Sequence, residues 1–297
     1  MKKLIAGLLC LAGLFCTTGC KNDYKRTYTE TDGYMRFTNY SYGKAKERNL
    51  LDLVLPKTQD VQGLILMIHG GAWMAGDKIA YGGELENWCQ KGYAAAAINY
   101  RYIDKKTHCE DLLDDIDKAL SEIKKLAKEK GITLTKMLTM GHSAGGHLSL
   151  QYSYTRVDTA PITPTVAVSL SGPVDMTDEY YWQENATYRE YYDEWFSYLG
   201  GYSVTQKNVA DATAYLQNVS PIHFVTEQTV PTILCHGKLD DLVPISNAER
   251  LQKELAEKGV KHEFFIYENS GHGLESDGAT NAEYTAVLDA YATRYLK

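Results

Sequence analysis

Residues 137–149 constrain the fold of this chain more than any other stretch: Met137-Leu138-Thr139-Met140-Gly141-His142-Ser143-Ala144-Gly145-Gly146-His147-Leu148-Ser149. A short apolar run leads into Gly141-His142-Ser143-Ala144-Gly145, and the small and apolar residues that follow suit the first turns of a helix. A serine hydroxyl is a weak nucleophile at neutral pH and works only when a base takes its proton. A sharp strand-to-helix turn presents such a hydroxyl clear of neighbouring chains, and glycines at 141 and 145 leave room for the strained backbone. The helix behind Ser143 also turns free N–H groups toward any negative charge developing there. A Gly-x-Ser-x-Gly string arises by chance in about one chain in ten of this length. The rest of the chain must therefore supply the base, its orienting acid and an oxyanion site.

The surroundings suit such a turn. Residues 34–42 and 48–55 read as strands, while 63–69 and 93–100 are continuous apolar runs of the kind buried on both faces of a sheet. A helix is expected over 82–91. Residues 111–130 form a second, amphipathic one, with Leu112, Ile116, Ala119, Ile123 and Leu126 at three- and four-residue steps. Strands at 165–170, 231–236 and 263–267 then alternate with helices at 249–258 and 283–295. Such alternation predicts an α/β domain over residues 34–297, with a mostly parallel sheet and helices on both faces. Residues 178–202 interrupt it with seven of the chain's 23 tyrosines plus Trp182 and Trp195, and read as a small cap insertion. The net charge of −7 and the lack of a basic run argue against nucleic acid and anionic membrane surfaces as partners. No ligand cluster suggests a metal or other cofactor.

The N-terminus is a targeting segment. Lys2 and Lys3 precede an apolar stretch at 4–15 and a run of small residues, too short to span a bilayer. Thr17-Thr18-Gly19-Cys20 resembles a bacterial lipobox, with Thr17 where an aliphatic residue is usual. That resemblance implies removal of residues 1–19, lipidation of Cys20, and an exported protein held on the cell envelope, in the periplasm or at the outer membrane. Residues 20–33 are polar and read as a tether. Of the remaining thiols, Cys89 and Cys109 could pair in an oxidising compartment, and an odd count leaves at least one free.

Among the eight histidines, His272 is the expected base. It sits in Asn269-Ser270-Gly271-His272-Gly273, directly after a strand and so at the C-terminal sheet edge where Ser143 also lies. His262 falls at the opposite edge. His142 and His147 read as turn and helix-packing residues, and His236 as a support for the acid loop. That loop, Gly237-Lys238-Leu239-Asp240-Asp241-Leu242, offers Asp240 as the orienting carboxylate, with Asp241 as the alternative. Glycines in His69-Gly70-Gly71-Ala72-Trp73 let the backbone approach a substrate oxygen, so the N–H groups of Gly71, Ala72 and Ala144 are the candidate oxyanion donors. Trp73 is either a substrate contact or a packing aromatic.

With these four pieces in this order, residues 45–297 resemble the α/β-hydrolase superfamily, and within it the esterases related to hormone-sensitive lipases, acetyl-xylan esterases and feruloyl esterases. The sequence carries Ala72 where many lipase relatives have a third glycine. The resemblance implies a serine carboxylesterase acting through Ser143, His272 and Asp240. Short-chain or aryl esters on carbohydrate would be its substrates, and Trp73, Trp182 and Trp195 are candidate contacts. An arylformamidase would share the His-Gly-Gly-x-Trp loop, but an exported protein is an odd place for one. A serine peptidase would share the catalytic domain, but no propeller precedes it here. A catalytically inactive glycan-binding lipoprotein would have no need of Ser143, Asp240 and His272 together.

Overall fold

The computed structural model describes residues 24–58 and 60–297; the leader at 1–19 and Cys20 lie outside them. Among the described residues nine strands form one sheet: β1 (Thr27–Glu30), β2 (Tyr34–Ser41), β3 (Leu50–Pro56), β4 (Leu64–Ile68), β5 (Ala94–Ile98), β6 (Lys136–His142), β7 (Thr163–Leu170), β8 (Thr232–Gly237) and β9 (His262–Tyr267). They lie in the order β1-β2-β3-β5-β4-β6-β7-β8-β9. β1, β2, β3 and β5 pair antiparallel in succession. From β5 through β4 to β9 every pairing is parallel. The alternation of buried runs with helices thus yields the mostly parallel sheet the sequence implies. β4, β5 and β8 are buried at every position, as strands covered on both faces must be.

β1 corrects the sequence reading of 20–33 as a tether. Thr27–Glu30 pairs with β2 from Thr27↔Thr38 to Glu30↔Met35. All four of its residues are exposed, so this edge strand has no apolar face to announce it in the sequence.

Helices cover both faces. α1 (Gly82–Gln90) lies on one face with the C-terminal helix, while α2 (Cys109–Glu129) and α3 (Ala144–Thr155) lie on the other. The amphipathic stripe of α2 buries Leu112, Ile116, Ala119, Ile123 and Leu126 in a single core. Between β7 and β8 the insertion forms α4 (Glu179–Trp182), α5 (Arg189–Gly200) and α6 (Val209–Gln217). α6 is absent from the sequence reading, since Ala212 and Leu216 are its only buried residues. α7 (Ile245–Glu257) and α8 (Gly278–Leu296) complete the alternation. Cys89 packs on one face of the sheet and Cys109 on the other, so the possible Cys89–Cys109 bridge does not form. Both are buried free thiols, as is Cys235.

The order of strands sets where a ligand can sit. The chain moves outward from β4 to β5, returns past β4 to β6, and then proceeds the other way. In a parallel sheet such a reversal opens a crevice at the C-terminal strand ends. β4 and β6 are level there, with Ile68 paired to Gly141. A methyl group on Gly141 or Gly145 would overlap the Ile68 carbonyl oxygen, so the turn after β6 lies directly on the end of β4. Gly145→Ala is therefore expected to cost at least about 2 kcal/mol of stability, the scale of an overpacked core. Gly278→Ala, where a methyl group meets nothing within 4 Å, should stay within about 0.5 kcal/mol of the parent in urea unfolding.

Candidate active site

Ser143 occupies the turn between β6 and α3 with φ 55° and ψ −122°, a conformation that costs a non-glycine residue about 1–3 kcal/mol. The surroundings hold it there. Its N–H donates to the Leu170 carbonyl at 2.8 Å, and its carbonyl accepts from the His147 N–H at 3.0 Å. Ala144 opens α3 immediately behind it, which leaves the Ala144 N–H without a helical acceptor.

The loop after β8 and the loop after β9 bring Asp240 and His272 together. Nδ1 of His272 donates to Oδ2 of Asp240 at 2.7 Å, while Oδ1 of Asp240 accepts from the N–H groups of Leu242 and Val243 at 3.0 and 2.9 Å. The two loops are also tied through the backbone, Leu239 N–H to the Ser270 carbonyl at 3.0 Å. Asp277 anchors the far side of the His272 loop by accepting from the Ser270 hydroxyl at 2.6 Å and from the Asn269 backbone. Burial raises the pKa of Asp240, but the adjoining His272 and His236 outweigh it and hold the carboxyl below the usual range. Asp241, the alternative acid, is exposed and meets the cap through its backbone carbonyl. Nε2 of His272 is buried with no partner among the described residues, and His272 and Ser143 line the same pocket.

The glycine loop after β4 is the third wall. Gly71, Ala72 and Trp73 have φ of 111°, 49° and 57°, three successive residues in the left-handed region. The carbonyl of Gly70 accepts from Nδ1 of His69 at 2.8 Å, and that of Gly71 accepts from the N–H groups of Met74 and Ala75 at 3.0 and 2.9 Å. Among the described residues every peptide is trans, so a pinned carbonyl turns the N–H of the same peptide the opposite way. The N–H groups of Gly71 and Ala72 are thereby directed away from the loop interior. Gly70 abuts the serine turn so closely that a methyl group there would stand 2.7 Å from the His142 carbonyl oxygen.

The pocket has a volume of about 320 Å³, and its walls are mainly apolar and aromatic. The cap supplies Tyr181, Tyr191, Tyr192, Trp195 and Phe196. Trp195 lies at the pocket in a stacked pair with Tyr191, ring centroids 5.5 Å apart. Trp73 also lines the pocket but is 3% exposed, and its indole N–H donates to Nδ1 of His147 at 3.0 Å. Trp182 is not on the pocket. Its ring packs against Phe196 inside the cap and its N–H donates to the Met176 carbonyl at 3.1 Å, which corrects the expectation of a substrate contact.

Sequence reasoning missed several supports because each acts across a long separation. His142 donates from Nε2 to the His272 carbonyl at 2.7 Å, holding the loop that carries His272. Two cap tyrosines grip the acid loop: Tyr180 O–H donates to the Asp241 carbonyl at 2.6 Å and Tyr192 O–H to the Leu242 carbonyl at 3.0 Å. Tyr192 also lines the pocket, so one side chain touches both the ligand space and the loop that carries Asp240. His236, by contrast, is the acid-loop support the sequence implies: it donates to the Val243 carbonyl at 2.8 Å and stands 3.4 Å from Asp240.

Comparisons with known proteins agree with this architecture. The profile of the BD-FAE family matches residues 51–255. A probable carboxylic ester hydrolase, LipM of Mycobacterium tuberculosis, is 26% identical over 283 residues and 88% of this chain. Esterase LipC of the same organism is 24% identical over 73% of the chain. The chain spans 63% and 54% of the lengths of these two relatives. Among solved structures, a truncated carbohydrate esterase from gut microbiota superposes with a TM-score of 0.69 at 22% identity, covering 90% of this chain and 98% of that one. Esterase B of Lactobacillus rhamnosis gives 0.68 at 17% identity, covering 89% and 87%. The fold is that of the α/β-hydrolases.

Two of the buried histidines give the site a pH signature. Burial and the adjacent Arg48 cation push His69 down to about 3, and burial pushes His147 down to about 4. Both rings stay neutral in the folded state where an unfolded histidine, with a pKa near 6.5, takes up a proton. The unfolded chain then binds more protons, so stability falls as pH drops from about 6.5 toward 4. Each ring contributes on the order of 1.4 kcal/mol per pH unit in that window. The urea midpoint should therefore be lower at pH 5 than at pH 7, and a flat profile would contradict the assignment of two neutral rings.

Proposed function

Because the chain belongs to the BD-FAE family, we propose that it is a serine carboxylesterase that removes short-chain or aryl acyl groups from esterified carbohydrate. One observation carries the reading. The 2.7 Å Asp240–His272 pair leaves the buried Nε2 of His272 unpartnered in the pocket that Ser143 lines. Since Nδ1–H is engaged as the hydrogen-bond donor to Asp240, Nε2 holds the free lone pair and can accept the Ser143 proton.

Catalysis then proceeds as acyl transfer in two halves. Ser143 Oγ attacks the ester carbonyl as its proton passes to His272, and Asp240 stabilises the imidazolium and holds its orientation. The N–H groups of Gly71, Ala72 and Ala144 receive the oxyanion. Collapse of the tetrahedral intermediate expels the alcohol, which takes the proton from His272. Water attacks the acyl-serine by the same route and frees the acid.

The pocket walls favour a neutral ester. They contain three histidines but no lysine, arginine, aspartate or glutamate, and desolvating a charged acyl group there would find no compensating partner. Support for carbohydrate comes from the half-exposed Tyr191–Trp195 stack at the pocket, a surface on which a sugar ring can lie. It also comes from the likeness to a gut carbohydrate esterase. The leader and Cys20 fit a lipid-anchored enzyme of the cell envelope, able to meet polysaccharide outside the cytoplasm.

The purified protein is expected to hydrolyse 4-nitrophenyl acetate, with Ser143→Ala lowering the rate by about 10⁴-fold or more. Asp240→Asn should cost about 10³–10⁴-fold, the scale of losing the orienting carboxylate. Asp241→Asn should leave turnover near that of the parent. Activity persisting in Ser143→Ala, or a larger loss at Asp241 than at Asp240, overturns these assignments. Acid release from acetylated xylan, feruloylated arabinoxylan and short acyl-glycerols, measured side by side, tests the substrate class; preference for the acyl-glycerols would reject carbohydrate.

A further inference from the structure

Arg48 stands in a 3-10 turn (Lys46–Asn49) just ahead of β3, far in sequence from the loop it touches. Its side chain is 14% exposed, and each of its guanidinium nitrogens has a partner, Nη1 pairing with Oδ2 of Asp77 at 3.5 Å. Nε donates to the Tyr100 carbonyl at 3.1 Å and Nη1 to the Gly76 carbonyl at 3.3 Å. The group lies 4.0 Å from the ring centroid of Tyr102, whose hydroxyl donates to the same Gly76 carbonyl. Its remaining nitrogen, Nη2, is 3.0 Å from Nε2 of His69.

That last contact has only one chemical form. A guanidinium donates and never accepts, so Nε2 of His69 must be the acceptor. A neutral imidazole carries one ring proton, which therefore sits on Nδ1 and is donated to the Gly70 carbonyl at 2.8 Å. His69 is 1% exposed and stacks on Tyr100 at 4.3 Å, so the ring cannot turn to exchange the roles of its nitrogens. Gly76 closes the other side: a methyl group there would overlap the Gly70 carbonyl oxygen.

We propose that Arg48 is a positioning residue for the oxyanion loop, fixing His69 as the Nδ1–H tautomer and through it the Gly70–Gly71 peptide. The inference rests on the reading of Ser143 as the nucleophile and of the Gly71 N–H as an oxyanion donor. With the proton on Nε2 instead, Nδ1 would present a lone pair to the Gly70 carbonyl and repel it. A peptide between two glycines meets little steric resistance to rotation. A flip would carry the Gly71 N–H away from the substrate oxygen. The charge thus acts at one remove from the reacting atoms, and its loss should appear in turnover rather than in binding.

A double-mutant cycle tests this. Arg48→Gln is expected to lower kcat for 4-nitrophenyl acetate about 10- to 100-fold, less than the about 10²–10³-fold of an oxyanion donor removed outright, with KM changed by less than about 3-fold. His69→Asn keeps an N–H donor near the Nδ1 position that owes nothing to tautomer choice. In that background Arg48→Gln should cost less than about 3-fold more. Nitrogen-15 spectra of histidine-labelled parent protein should show His69 protonated at Nδ1 and bare at Nε2. Equal losses from Arg48→Gln in both backgrounds, or a His69 proton on Nε2, would overturn the proposal. If Arg48→Gln does not fold, Arg48→Lys in the same cycle and the parent spectrum still decide it. Ser143→Ala separates the two readings. An active Ser143→Ala variant removes the assignment of Ser143 as nucleophile on which this inference rests, whereas an inactive one beside a fully active Arg48→Gln removes only the role of Arg48.

Discussion

The contact on which the rest depends is the seating of the serine turn on the end of β4. Gly141 and Gly145 lie so near the Ile68 carbonyl that neither tolerates a side chain, and Gly70 is pressed against His142 in return. This approach joins two loops that would otherwise stand a strand apart. The strained backbone at Ser143 persists because β4, β6, β7 and α3 leave it no other path. Everything proposed for catalysis follows from having the serine, the glycine loop and the α3 N-terminus within one crevice.

Around that contact the site is organised by neutral histidines acting as connectors. His69 joins Arg48 to the glycine loop, His147 joins Trp73 to the Val219 carbonyl, and His142 holds the carbonyl of His272. A histidine suits these positions because its two ring nitrogens can donate on one side and accept on the other. The cap adds a second layer. Tyr180 and Tyr192 bond the acid loop just past Asp240, so the wall that shapes the pocket also steadies the carboxylate. Most of the tyrosines that mark the cap in sequence are spent on this packing. Tyr181, Tyr192 and Phe196 form mutual ring contacts at 4.9–5.7 Å, and Tyr191 and Trp195 form a further stacked pair at the pocket.

Much of this protein is legible in its sequence because local rules write it there. The two-sided burial of β4 and β5 shows as unbroken apolar runs, α2 as a stripe at three- and four-residue steps, and the serine turn as glycines at 141 and 145. The order of Ser143, Asp240 and His272, each placed after a strand, follows from the alternation alone. What composition and spacing did not reveal was anything fixed by a partner distant in the chain. β1 carries no buried face and so no period, and α6 buries too little to show one. Trp182 and Trp195 look alike in sequence, yet one packs inside the cap and the other faces the pocket. The choice between Asp240 and Asp241 rests on a two-residue turn: Oδ1 of Asp240 caps the N–H groups of Leu242 and Val243, which aims Oδ2 at His272 and leaves Asp241 in solvent. The sequence by itself determined the fold class and the placing of Ser143, Asp240 and His272 each after a strand, because periodicity and turn chemistry are local. Tertiary structure alone decided the tautomer of His69, the separation of Cys89 from Cys109 and the grip of the cap on the acid loop, because each depends on which side chains meet across the sheet.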